Sequence, residues 1–254
     1  MADELQIIKD GVTYTLPTGW AISDSGTYTF NNKLQDRAFS HGSDMVGDGK
    51  ASGRTVTVEI DLDSSTEAEH DALVNDAYRY FNQADYTLVV GRNDRLYKIA
   101  GISKIKHQFE KGFKQRWSNV VVSLLLADPF RYATAETTIS NTYADAQDAS
   151  EITFNNSSSV DVPLIFKFTP TVAMAAVTVL HIESGQSFTM QDTLLSTPAV
   201  ATVNGEAGTV RRDTANSINT FSGIFLHAVP GSNTFKITCA AGQVDITYTP
   251  RWFV

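Results

Sequence analysis

The stretch 117–132, WSNVVVSLLLADPFRY, decides how the first half of this chain reads. It opens polar and closes on a continuous apolar run, which predicts a strand buried on both faces. Asp128-Pro129 ends that strand, because proline has no N–H to give a ladder. Upstream, 55–62 (TVTVEIDL) puts Val56, Val58, Ile60 and Leu62 on one face and Thr57, Glu59 and Asp61 on the other. That alternation predicts a half-buried strand. Between the two strands lies the one convincing helix, over 65–81. Thr66-Glu67-Ala68-Glu69 has the form of a capping box, and Leu73, Ala77 and Tyr80 recur at helical spacing, flanked by Val74 and Phe81. Residues 86–90, 96–102 and 103–109 read as further strands, with a turn at Arg92-Asn93-Asp94 and a hairpin tip at Glu110-Lys111-Gly112.

The second half has another texture. Residues 133–150 (ATAETTISNTYADAQDAS) are small, polar and weakly periodic, and read as a connection with a short strand near 137–142. From Glu151, short strands alternate with turns such as Glu183-Ser184-Gly185, Asn204-Gly205 and Pro230-Gly231-Ser232-Asn233. That spacing predicts a sandwich or jelly roll. The 28 threonines outnumber the 20 lysines and arginines together, which favours pleated, half-buried surfaces. At 254 residues the chain can bury about 75% of its unfolded surface without staples, and the lone Cys239 excludes an internal disulfide framework. Residues 1–11 carry no secretory pattern, and the apolar stretches 120–127 and 172–180 fall short of the roughly 20 residues that span a bilayer. A soluble chain made in a cytoplasm is the expectation.

The net charge of −8 argues against a general nucleic-acid binder and hides a local polarity. Residues 57–85 hold eight acids and one base (net −7), whereas 92–116 hold eight bases and two acids (net +6). Bases interleaved with Phe109, Phe113 and Trp117 fit single-stranded nucleic acid. They equally fit pairing with the acidic segment, within the chain or across a subunit boundary, and the acidic total favours this second reading. No catalytic, cofactor or metal residue is expected. The glycines of 42–53 lack the strand-to-helix context of a phosphate loop and read as a surface loop. His41, Asp44 and Asp48 read as solvated rather than as ligands. Cys239 reads as a small buried hydrophobe, and the pair Asp61/Asp63 as the solvated face of a strand end. Phe154, Phe166, Phe168, Phe188, Phe221, Phe225 and Phe235 read as core, which leaves Tyr248 and chiefly Trp252 as candidate sugar contacts.

Several motifs in series resemble the phage distal tail protein family. They are the His41-Gly42 loop, the Arg-led strand Arg54-Thr55-Val56-Thr57-Val58, and the apolar strand closing on Asp128-Pro129-Phe130-Arg131-Tyr132. The Pro230-Gly231-Ser232-Asn233 turn and a final strand with Arg251-Trp252 complete the series. The resemblance implies a mainly β protein: an N-terminal β-sandwich-like ring domain with one helix and a protruding hairpin (1–134), a connection (135–150) and a C-terminal galectin-like or jelly-roll sandwich (151–254). It implies a structural, non-enzymatic role without cofactors: a homohexameric ring at the distal end of the virion tail, assembled in the host bacterial cytoplasm. The ring joins the tail tube protein to the tail hub or tail-associated protein and carries receptor-binding proteins, with the tape-measure protein as a further neighbour. No sequence-specific nucleic acid and no membrane insertion are implied. Candidate subunit or tube contacts are Arg92, Arg95, Lys104, Lys106, Lys111, Lys114, Arg116, Glu59, Asp61 and Asp63. The alternatives are a carbohydrate-binding module that attaches the particle to host wall sugars and, more distantly, a β-sandwich hydrolase.

Overall fold

The computed structural model describes residues 5–17, 20–23, 27–38, 41–90, 95–109, 116–144 and 148–253. Contacts divide the chain into Met1–Thr134 with Phe253–Val254, and Ala135–Trp252. In chain order the first unit forms β1 (Leu5–Lys9), β2 (Val12–Thr15), β3 (Ala21–Ser23), β4 (Phe30–Asp36), β5 (Ser43–Ala51), β6 (Arg54–Asp63), α1 (Glu67–Phe81), β7 (Tyr86–Val90), β8 (Arg95–Ile99), β9 (Gly101–Phe109), β10 (Trp117–Leu126) and β11 (Arg131–Ala133).

One sheet of this unit runs β2–β1–β7–β8–β11 and a second runs β3–β6–β10–β9, while β4 and β5 pair only with each other. β10 is antiparallel to β6 over ten positions, from Trp117 opposite Asp63 to Leu126 opposite Arg54. Its burial alternates: Val120, Val122, Leu124 and Leu126 are in the core, whereas Leu125 is 40% exposed. The expectation of a strand covered on both faces therefore fails. An antiparallel sheet needs only one covered face, and the apolar run here serves one.

The helix begins two residues later than expected. Thr66 Oγ1 accepts from the Glu69 amide at 3.2 Å. Glu69 reaches back to Ser65, whose hydroxyl and amide donate to its carboxylate at 2.5 and 3.2 Å, and the Ser65 hydroxyl is the main cause holding that carboxyl below its ordinary value. Ala77 and Phe81 are buried, with Leu73, Val74 and Tyr80 packed beside the same core. A hairpin absent from the expectations, β1–β2, turns on Asp10 and Gly11, both at positive φ (50° and 76°), the conformation a two-residue hairpin loop requires.

The second unit begins inside the residues expected to connect. β12 (Thr137–Tyr143) pairs with β24 (Gly242–Tyr248), and β13 (Asp148–Asn156) pairs with β23 (Gly231–Cys239). Residues 137–143 form the short strand expected there, and residues 148–150, expected as connection, belong to β13. Their polarity reflects outward-facing Thr and Ser positions, with Tyr143 turned into the core. Between these pairs lie β14 (Val162–Pro163), β15 (Ile165–Pro170), β16 (Ala176–His181), β17 (Ser187–Gln191), β18 (Ala201–Asn204), β19 (Thr209–Arg212), β20 (Ala215–Asn216), β21 (Phe221–Gly223) and β22 (His227–Ala228). Residues 218–226 hold a 3-10 turn and the short β21.

A six-stranded sheet (β12–β24–β15–β18–β19–β20) and a five-stranded sheet (β13–β23–β16–β17–β21) share one core. Phe166, Phe168, Phe188 and Phe235 are buried in it together with Cys239. The β-sandwich expectation holds. Three of its buried polar side chains are paired within the unit. Arg212 Nη1 donates to both carboxylate oxygens of the buried Asp192 at 2.6 Å. Asn233, with no exposed surface, accepts from the Val229 amide and donates to the Val229 and Gly231 carbonyls, each at 2.8 Å. His181 Nε2 lies 3.2 Å from Asn233 Oδ1, and its Nδ1 lies 2.8 Å from Ser184 Oγ. The Pro-Gly-Ser-Asn turn is therefore held by one side chain. Asn233→Ala leaves several buried backbone groups unpaired and should lower the unfolding free energy of the second unit by roughly 2 to 3 kcal/mol, read by urea denaturation.

Candidate functional site

The outer face of the β3–β6–β10–β9 sheet carries the charge polarity of the sequence. Glu59, Asp61 and Asp63 are exposed on β6, and Lys104 and Lys106 are exposed on β9. The register aligns them in rows across β10: Glu59 with Val121 and Lys106, Asp61 with Asn119 and Gln108, Thr57 with Ser123 and Lys104. Two strand spacings, about 10 Å, separate the acidic stripe from the basic one. Asn119 Nδ2 donates to Asp61 Oδ1 at 2.9 Å, so the neutral middle strand orients part of the acidic stripe.

The other candidates are scattered. Arg95 lies on β8, in the other sheet, opposite Ala133 and Val90. Arg116 is spent locally: Nη1 donates to the Ser65 carbonyl at 2.9 Å and its own carbonyl accepts from the Ser64 amide at 3.1 Å, which ties the base of the β9–β10 hairpin to the start of α1. Arg92, Lys111 and Lys114 lie outside the described residues, as does the expected hairpin tip at 110–112.

The hairpin that stands exposed is a different one. Residues 43–51, expected as a loop, form β5 and pair with β4. Every residue of β4 is exposed, and Leu34 and Met45 face each other across the pair at 76% and 71% exposure. Sequence reasoning missed this arm because the period-2 contrast that reveals a strand comes from burying one of its faces. Asp44, weighed as a possible ligand beside His41, instead pairs with Arg37 at 2.7 Å.

A second missed cluster stiffens the end of β6 and β10. Arg54 Nε donates to the Pro129 carbonyl at 2.9 Å, and its guanidinium lies 4.6 Å from the Tyr28 ring centre and 5.8 Å from that of Tyr97. Arg131 lies 5.3 Å from the same Tyr97 ring. Asp128 accepts from the Tyr132 hydroxyl and, at 3.2 Å, from the Phe130 amide. A Cβ on Gly53 would come 2.8 Å from the Leu126 carbonyl, so only glycine lets the chain pass there. The Arg-led strand and the Asp-Pro-Phe-Arg-Tyr sequence are thus two sides of one joint.

Residues 157–252 match the family model described as the siphovirus-type tail component, C-terminal domain. Over the whole length the fold is similar to the crystal structure of the Dit protein of phage SPP1, described as a paradigm of the hub adsorption apparatus of phages that infect Gram-positive hosts. That alignment has a TM-score of 0.73 at 11% identity and covers 97% of this chain and 98% of the other. The second unit is thus similar to a siphovirus tail-component domain over residues 157–252, and the whole chain shares the fold of a phage tail protein. Two structures of infectious bursal disease virus, a VP2 subviral particle and the Gx strain, align at TM-scores of 0.22 and 0.20 with 10% identity, covering 97% and 98% of this chain and 68% and 67% of theirs. Scores that low carry no argument. No curated protein matches the sequence.

The aromatic residues weighed for sugar binding are occupied. Tyr248 is buried, stacks on Phe154 at 5.3 Å and sends its hydroxyl to the Asn155 carbonyl; burial pushes its phenol pKa up. Trp252 is half-buried and donates its indole N–H to the Ser157 carbonyl at 2.8 Å. Arg251 beside it donates to the Asp161 carbonyl at 2.6 and 3.0 Å. The Arg-Trp ending therefore stitches the second unit to its own 157–161 segment. Among the described residues no helix is long and apolar enough to cross a membrane.

Under α1, the chain buries an imidazole that no sequence pattern marked. His70 Nε2 lies 2.8 Å from Ser118 Oγ, and the His70 ring lies 6.1 Å from that of His107 and 5.5 Å from that of Phe109. Burial, reinforced by the neighbouring His70, holds His107 below the ordinary histidine value, with Asp71 opposing. An imidazole that is harder to protonate folded than unfolded costs stability as pH falls past about 6.5. The first unit should melt at a lower temperature at pH 5.5 than at pH 7.5, and His107→Gln should remove part of that difference, measured by scanning calorimetry.

Proposed function

We propose that this chain is a distal tail protein and forms a hexameric ring at the end of the tail, joining the tail tube to the hub. In this reading it assembles in the bacterial cytoplasm with the tube and hub proteins, and the second unit serves as the docking platform for peripheral receptor-binding components. The observation that carries the reading is the pair of stripes on one exposed sheet face. A single chain that offers an acidic strand and a basic strand side by side can satisfy both only by meeting complementary surfaces of other chains. Contacts between unlike surfaces of identical subunits are head-to-tail, and they close into a ring when the rotation divides the circle. The stripes set register and partner choice more than affinity, since exposed pairs contribute little energy each. The proposed work is that of a connector and not of a catalyst.

Light scattering of the purified chain, with negative-stain imaging, should show six-membered rings. Lys104→Glu with Lys106→Glu should shift the population towards monomer. Adding Glu59→Lys and Asp61→Lys to the same chain should restore assembly. Rings that persist through the first pair of substitutions would remove the stripes from the interface. A wild-type chain that stays monomeric at every concentration would remove the ring.

A further inference from the structure

We propose that the β4–β5 arm of one copy adds onto the free β9 edge of a second copy and so extends that copy's sheet. This inference rests on the ring reading and gives it a contact.

An isolated two-stranded hairpin is at best marginally stable in water. The arm has no third strand, and no residue of either strand is fully buried. Yet its shape is specified in detail. The register shifts between Phe30 and Asn32, and Gly47 sits there at φ 148°, where a Cβ would lie 1.9 Å from the Asn31 carbonyl oxygen. The Gly49 amide donates to Asn32 Oδ1 at 3.0 Å. Towards the tip, Ser43 donates to Asp36 at 2.7 Å and Arg37 pairs with Asp44. These features fix one conformation without a core beneath it. The same arm leaves Leu34, Met45 and Val46 in water, at 76%, 71% and 49% exposure. A preformed arm with its apolar residues uncovered is an element that another chain completes.

The receiving surface follows from the sheet ends. β9 is nine residues long and, among the described residues, is paired on one side only, with β10. The ends at β2 and β3 have only four and three residues. β5 also has nine residues, so the two match in length. Charge matches as well. β9 carries Lys104 and Lys106 and no acid, a formal +2, while β5 carries Asp44, Asp48 and Lys50, a formal −1. Lysines on an edge strand deter indiscriminate pairing, and an arm that brings carboxylates is the strand such an edge accepts. Strand addition supplies a row of main-chain hydrogen bonds, with side chains choosing the partner. Because arm and edge are different surfaces of one chain, their contact propagates from copy to copy instead of stopping at a twofold dimer.

The test uses the full chain. Leu34→Asp with Met45→Asp alters only exposed positions, so near-UV circular dichroism should match wild type. Light scattering against concentration should show the association midpoint raised at least about tenfold. Leu34→Ser with Met45→Ser, which adds no charge, should shift it in the same direction. Hydrogen exchange should show the amides of Gly101–Phe109 gaining protection when the wild type assembles, and not in the arm variant at the same concentration. A folded arm variant that assembles like wild type would overturn the arm contact and leave the ring standing. Assembly without protection of β9 would overturn the receiving edge and point to another surface of the copy. A wild type that remains monomeric throughout would overturn the ring itself, and arm protection appearing only with a second tail protein would make that protein the occupant.

Discussion

The first unit depends on the ten-position register between β6 and β10. Side chains alternate across a strand, so a slip of one residue would send Val120, Val122 and Leu124 to the surface and bring Val121, Ser123 and Leu125 inside. Everything else in the unit inherits that choice. The helix covers the inner face because the apolar side chains are there. The acidic stripe of β6 and the basic stripe of β9 appear together on the outer face because both strands flank β10. The joint of Arg54, Gly53 and Asp128 closes one end of the pair, and the contacts of Arg116 and His70 with the start of α1 and with Ser118 close the other.

The two units handle polar groups differently, and the difference bears on function. The second unit pairs its buried polar side chains internally: Asp192 with Arg212, and Asn233 with the turn it organises. Its terminal Arg-Trp segment is bound to its own 157–161 segment. The first unit leaves its charges and an apolar arm on the outside. In the proposed connector role the chain works through contacts with other chains, and the arm and the striped sheet face are where it has contacts to offer.

Much of this was legible in the sequence where one face of an element is buried. TVTVEIDL announced β6, and the spacing of Leu73, Ala77 and Tyr80 announced α1, because burial of one face imposes a period that composition displays. Asp10-Gly11 carried a readable hairpin signal, the dipeptide suited to two consecutive positive φ values, yet the short strands around it did not stand out. Residues 43–51 gave no such signal, since a strand exposed on both faces has no apolar period. Within 133–150 the short strand near 137–142 was legible, but its place in the sandwich was not: Thr and Ser on the outward face of β12 look like linker chemistry until the partner strand, a hundred residues away, is known. The apolar run of β10 misled in the opposite sense, because hydrophobicity on an outward position does not say whether anything covers it.

By itself the sequence determined the β-rich class, the single helix, the strand-stopping Asp-Pro and the charge polarity of the first half. Each is local, written in the period, composition or covalent geometry of a short segment. Only the tertiary structure decided that the acidic and basic segments share one sheet face, that Arg54 meets Pro129 seventy-five positions away, and that, among the described residues, β4 and β5 pair only with each other while β9 ends its sheet. Those facts are matters of strand pairing between distant segments, and pairing is selected by the whole core at once.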